Sequence, residues 1–169
     1  MSDLIDDELK VNRPNSIVVL AVLSLLNMGY NLITSFIAMA RGPLNSEELQ
    51  SARVEYTKSI NSFADVEGGE MMQSLMREMI AMTETLNAHY MMNIATSIIF
   101  VLVGVAGVIL MLRQKKIGFH AYIIYSFLIS VQIYFFMKPS LLTNSMVIMN
   151  LLISALFIFQ YSRSLKWMK

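Results

Sequence analysis

No cysteine occurs in this 169-residue chain, and it holds only 3 prolines, 7 glycines and 2 histidines. The missing thiols exclude disulfide scaffolds, thiolate metal sites and cysteine nucleophiles together. Charge is scarce too, at 15% of residues with a formal net charge of +1, so the basic surface that a nucleic-acid partner needs is missing. Low Gly, Pro and charge equally exclude collagen-like and disordered chains. What fills the chain is apolar: 56% hydrophobic residues and a mean hydropathy of +0.56. A soluble domain has about 45–50% apolar and about 25% charged residues. Composition alone points to the lipid bilayer as the first partner.

An apolar run of roughly 18 or more uncharged residues is long enough to cross a membrane as a helix. Four such runs are present, at residues 17–40, 91–112, 117–137 and 141–161. Arg113-Gln114-Lys115-Lys116 separates the second from the third, and Lys138-Pro139-Ser140 the third from the fourth. Pro139 fixes its own φ and disfavours helix just before it, so the last two spans read as a tight hairpin. The expected fold is all-α: a four-transmembrane-helix bundle with an extramembrane helical hairpin between the first and second spans.

Flanking cations set the expected orientation. With residues 1–16 in the cytoplasm, that side collects eight Lys and Arg, in the leader, the 113–116 loop and the 162–169 tail, against five spread over the longer opposite side. Both termini are expected inside, with residues 41–90 on the other face. The first run is expected to be retained rather than cleaved. It exceeds the roughly 7–15 apolar residues of a signal peptide, and its leader, with Asp3, Asp6, Asp7 and Glu8, is acidic. That leader reads as a solvated tail.

The segment outside the membrane reads as two helices. Arg41-Gly42-Pro43 breaks the first span, and Asn45-Ser46-Glu47-Glu48 supplies a capping side chain followed by acids. Leu49, Ala52, Tyr56, Ile60 and Phe63 then share one helical face, and Glu67-Gly68-Gly69 forms a turn. From Glu70 the pattern resumes with Met72, Leu75, Met76, Met79, Met82, Leu86 and Tyr90. No Gly or Pro separates this stretch from the second span, so residues 70–112 read as one continuous helix. The segment carries eight acids against four bases, which disfavours lying on an anionic lipid surface. It is expected to project.

No span holds an acid or base in its interior, which argues against proton relays and voltage sensing. No phosphate-binding loop, dinucleotide fingerprint, zinc-protease string or nucleophile elbow occurs, and His89 and His120 fall near opposite membrane faces. Neither a catalytic residue, a cofactor nor a metal is expected, and the chain reads as a non-enzyme.

Each span does carry a polar or small-residue face. The first has Ser24, Asn27, Asn31 and Ser35; the second Asn93, Thr96, Ser97, Gly104 and Gly107. The third has Tyr122, Tyr125, Ser126, Ser130 and Gln132; the fourth Thr143, Asn150, Ser154 and Tyr161. Such faces usually pack inwards, each interhelical bond worth about 0.6–2 kcal/mol. The other reading is a polar cavity near mid-depth lined by Asn27, Asn31, Asn150 and Ser154.

Methionine is unusually frequent, at 15 residues. Met72-x-x-x-Met76 has a spacing at which thioethers could hold Cu(I), but no Cys accompanies it and His89 is distant. Packing within the hairpin, or an adaptable docking surface formed by Met72, Met76, Met79 and Met82, accounts for the pattern as well. The basic loop and Lys166-Trp167-Met168-Lys169 read as topology signals and interface anchors.

Lys115-Lys116-Ile117-Gly118-Phe119-His120-Ala121-Tyr122, a basic-Gly-Phe-x-x-Tyr start to a span, resembles small four-span inner-membrane proteins of bacteria, of the Bacteroidota kind. The resemblance covers about one span and implies a bacterial inner-membrane location with no catalytic residues. Claudins and tetraspanins share the loop plan but depend on cysteines absent here. The leading expectation is an accessory or scaffold subunit of a larger membrane complex, with other membrane subunits as partners and homo-oligomers also compatible. The competing expectation is a small channel or carrier for a neutral solute, running through the amide-lined interior.

Overall fold

The computed structural model describes residues 15–64 and 66–168; the acidic leader to residue 14, Asp65 and Lys169 lie outside them. Among the described residues there is no strand, and six α-helices follow one another. They are α1 (Asn15–Arg41), α2 (Ser46–Ser62), α3 (Gly69–Ala88), α4 (Tyr90–Leu112), α5 (Lys116–Val131) and α6 (Leu141–Ser162). Short 3-10 turns follow α5 (Gln132–Phe135) and α6 (Leu165–Trp167). Helices α1, α4, α6, and α5 with its 3-10 turn, are long and apolar enough to cross a membrane. In lipid only such helices keep every backbone N–H and C=O bonded within the segment. The chain is a multi-pass, four-helix membrane bundle.

Packing order fixes where polar groups can meet. Helix α4 lies between α1 and α5, and α6 packs on the far side of α5. Contact between α4 and α5 is the most extensive, because three glycines remove side chains from it. A Cβ on Gly118 would sit 2.5 Å from the Gly107 carbonyl oxygen and 2.6 Å from the Met111 nitrogen. One on Gly104 would press into Tyr125 and Met28. The turn joining these helices is tight: Gln114 adopts φ 58°, while Gln114 N–H donates to Met111 O and Lys115 N–H to Leu110 O, both at 2.9 Å. That pair of bonds closes the end of α4 as a Schellman cap.

Helices α1 and α6 meet mainly at the end of the bundle that holds the start of α1 and the end of α6. There the core gathers Ile17, Ala21, Tyr122, Tyr161 and Met168. Ser24 Oγ lies 3.0 Å from Tyr161 Oη and 3.5 Å from Tyr122 Oη, and the two tyrosine rings cross edge-on at 4.9 Å. Further along, α1 and α6 diverge. Helix α6 is the least covered span, with 11% of its most apolar window buried against 39% in α5.

The hairpin forms as α2 against α3. Asn45 closes a capping box, accepting from Glu48 N–H and donating its own N–H to the Glu48 carboxylate, each at 2.9 Å. The Asn45 N–H and the nearby Arg41 guanidinium hold the Glu48 carboxyl below the usual carboxylate range. At the tip, Gly68 takes φ 77°, and Gly69 lies too close to the Phe63 carbonyl to carry a side chain. Arg53 and Glu84 pair across the two helices. The Asn87 side chain bonds both the N–H and C=O of Leu44, at 2.7 and 3.0 Å.

Three expectations are corrected. Residues 70–112 do not form one helix; they break at His89, whose φ and ψ of −106° and 22° leave the helical range. Tertiary contacts bend the chain there without Gly or Pro: the His89 ring packs on Phe136 at 5.8 Å, and Tyr90 Oη donates to the Ala38 carbonyl at 2.7 Å. The α-helical part of the third span ends at Val131, not residue 137, and tightens into the 3-10 turn that carries Gln132. Nor does the hairpin project freely. Glu78 on α3 accepts from Ser140 Oγ at 2.7 Å and from Leu142 N–H at 2.8 Å, capping α6. A carboxylate is stabilised at a helix N-terminus, where N–H groups lack partners and the dipole is positive. An acid on a Met-rich face is thus spent on tying the hairpin to the last span.

Candidate functional site

Polar residues inside the membrane bundle fall into two groups. The first is closed. Gln132, 5% exposed on the turn after α5, donates from Nε2 to the Asn93 carbonyl (3.0 Å), Asn93 Oδ1 (2.8 Å) and Ser97 Oγ (2.8 Å) on α4. Ser97 Oγ lies 3.1 Å from Gln132 Oε1 in turn. The Gln132 amide is paired through both its nitrogen and its oxygen, and these bonds across α4 and α5 make the cluster interhelical glue. Gly104 belongs to the same α4–α5 seam as a spacer.

The second group is open. Where α1 and α6 diverge, a cleft of about 430 Å³ forms, with Asn27 and Asn31 on one wall, Asn150 and Ser154 on the other. The floor, on α5, carries Tyr122, Ser126 and Ser130, with Met28, Ile129 and Phe157 between the polar groups. The tyrosine–Ser24 contact closes the cleft towards the terminal end of the bundle. Asn31 Nδ2 bonds back to Asn27 O at 2.8 Å, and Ser154 reaches Ser130 at 3.5 Å. Asn27 and Asn150 are exposed, and no other helix among the described residues hydrogen-bonds either amide. Each stands near the middle of its helix, α1 and α6, hence near mid-depth. Asn27 Oδ1 meets only Asn31 Nδ2 of its own helix, at 3.5 Å, and an amide left without partners in a medium that cannot hydrogen-bond costs about 4–8 kcal/mol.

Sequence periodicity assigned each span its polar face and named Asn27, Asn31, Asn150 and Ser154 as one possible lining; the structure adds Ser24 to that set and joins Gln132 of the third span to Asn93 and Ser97 of the second. Periodicity did not reveal that the first set opens sideways while the second is sealed. The Met cluster divides as well: Met72 is 39% exposed, whereas Met76, Met79 and Met82 are half-buried. Beside Met72, Met71 is 62% exposed. Glu78 was missed as a site, although Ser140-x-x-Thr143 signalled the helix start that it caps. The two histidines lie apart, His89 against Phe136 and His120 beside Phe119 near the start of α5. Among the described residues no group of three or more His, Asp or Glu is placed to hold a metal ion.

Fold and cleft define a polytopic helical membrane protein with a lateral, amide-lined opening. No family model, curated protein or solved structure matches the chain.

Proposed function

We propose that this chain is a non-enzymatic accessory or scaffold subunit of a larger membrane complex, in a bacterial inner membrane with both termini cytoplasmic. The observation that carries this reading is the pair of mid-depth amides, Asn27 and Asn150, open to the side of the bundle. The occupant is a partner transmembrane helix bearing a hydrogen-bonding or small side chain at the same depth, which would relieve both amides at once. Met71 and Met72 on the hairpin add an adaptable apolar patch for the same partner.

Gentle detergent extraction from native membranes followed by native mass spectrometry tests the reading. The expected result is an assembly of defined stoichiometry that is lost when Asn27→Leu and Asn150→Leu are combined, with the subunit's own melting temperature retained. A wild-type chain that always emerges alone contradicts it. A second reading, a carrier for a small neutral solute, draws on the cleft volume of about 430 Å³. It ranks second because the Ser24–Tyr122–Tyr161 cluster stops the cleft at one end. Solute flux into proteoliposomes that vanishes in the same double variant would favour it.

A further inference from the structure

A second pocket lies on the seam between α1 and α6, at the terminal end of the bundle, with a volume of about 310 Å³. Its shape comes from the turn after α6. Leu165 and Met168, three residues apart in a 3-10 geometry, both point into the core beside Ile17 and Ala21. The two residues between them, Lys166 and Trp167, are thereby turned outwards. Lys166 Nζ sits 5.5 Å from the Trp167 ring centre, a cation–π contact that holds the ammonium in place. Arg163 adds a second cation, Ser16 and Gln160 add neutral donors, and Leu20 supplies an apolar wall. Among the described residues, no carboxylate lines this pocket.

The position is as informative as the chemistry. Helix α1 starts at Asn15 and α6 ends at Ser162, so the pocket lies where the spans leave the hydrocarbon, at headgroup depth. Two cations and two neutral donors, with an indole at interface level, suit an anionic phosphate oxygen. A free phosphate would use the same donors, but Leu20 and the adjoining apolar flank of α1 give a diester's acyl chain a surface to follow. We propose that this pocket binds the phosphate of an anionic membrane phospholipid and seats the α1–α6 seam against the headgroup layer. Basic pockets between membrane helices take such headgroups because the low dielectric sharpens the attraction.

The test is lipid retention by the full chain, released from nanodiscs of mixed phosphatidylglycerol and phosphatidylcholine into a native mass spectrometer. Wild type is expected to keep phosphatidylglycerol in preference to phosphatidylcholine. Combining Arg163→Gln with Lys166→Gln should cut that preference about 30-fold, the effect of two cations near a lipid surface. Arg113→Gln with Lys115→Gln removes as much charge at the same end of the bundle but outside the pocket, and should leave the preference intact. Equal losses in the two double variants would mean diffuse surface charge and overturn the proposal. Displacement of the lipid by inorganic phosphate would overturn it in favour of a free-anion site. Retention that emerges only after Asp3, Asp6, Asp7 and Glu8 are neutralised would give the pocket to the chain's own leader, also overturning it. Unchanged melting of both variants, all four positions being exposed or half-exposed, keeps these outcomes separable from unfolding.

Discussion

Two polar clusters within the helix bundle are handled in opposite ways. Between α4 and α5, the side chains of Asn93, Ser97 and Gln132 satisfy one another and the backbone. Between α1 and α6, Asn27 and Asn150 face each other across a cleft with no helix between them. The amides are alike; the helix spacing differs. Glycines at 104, 107 and 118 bring α4 and α5 together, whereas the α1–α6 seam is closed at one end, by Ser24, Tyr122 and Tyr161 with Ile17, Ala21 and Met168. A polar residue in a membrane helix is therefore glue or opening according to what its neighbours allow, and small residues decide which.

The sharpest way to break the contrast is to spoil the closed seam. Gly118→Val should destabilise the bundle by about 3 kcal/mol or more, since its Cβ would meet backbone atoms on α4 that cannot move aside. Loss of a cooperative melt in detergent is the expected readout. Gln132→Leu removes the donor to Asn93 Oδ1 and Ser97 Oγ and leaves these half-buried oxygens without it, at about 1–3 kcal/mol; a lowered unfolding midpoint measures it.

Outside the membrane the contrast has a titratable counterpart. The Leu142 N–H, and then the Ser140 hydroxyl, hold the Glu78 carboxyl below the usual carboxylate range. Its folded value is thus lower than its unfolded one, so the contribution is complete above the ordinary carboxylate range. It is lost as pH falls through the lowered value. Protection of the amides at the start of α6, taken relative to their intrinsic exchange rates, should fall over that acidic window, and should already be low at neutral pH in Glu78→Gln. The smallest effect is expected at the open seam. Asn150→Leu should change subunit stability by no more than about 0.5 kcal/mol, because no bond within the described chain is broken.

Hydropathy was enough to locate four spans, since each needs an unbroken apolar stretch and little else. Capping chemistry likewise placed the start of α2 at Asn45, where side chain and backbone lie three residues apart. The bend at His89 escaped because it depends on Phe136 and Ala38, which are remote in sequence. For the cleft, spacing along each helix showed which residues share a face. Whether two such faces touch depends on the distance between helices, which the Gly104–Tyr125 and Gly118–Gly107 contacts fix from elsewhere in the bundle. The role of Glu78 was hidden for the same reason: its partner is the N-terminus of a helix that begins at Leu141.

The central claim, that the amide cleft is where another helix seats, is tested most directly by photo-crosslinking in native membranes. A benzophenone amino acid is placed at position 150, at position 27, or at position 148, where Ile148 is 58% exposed on a different face of α6. A discrete adduct of one mass from positions 27 and 150, with none from 148, is the predicted result; twice the chain's own mass would identify the occupant as a second copy. Adducts to lipid alone from all three positions, or the same smear from each, would contradict the claim.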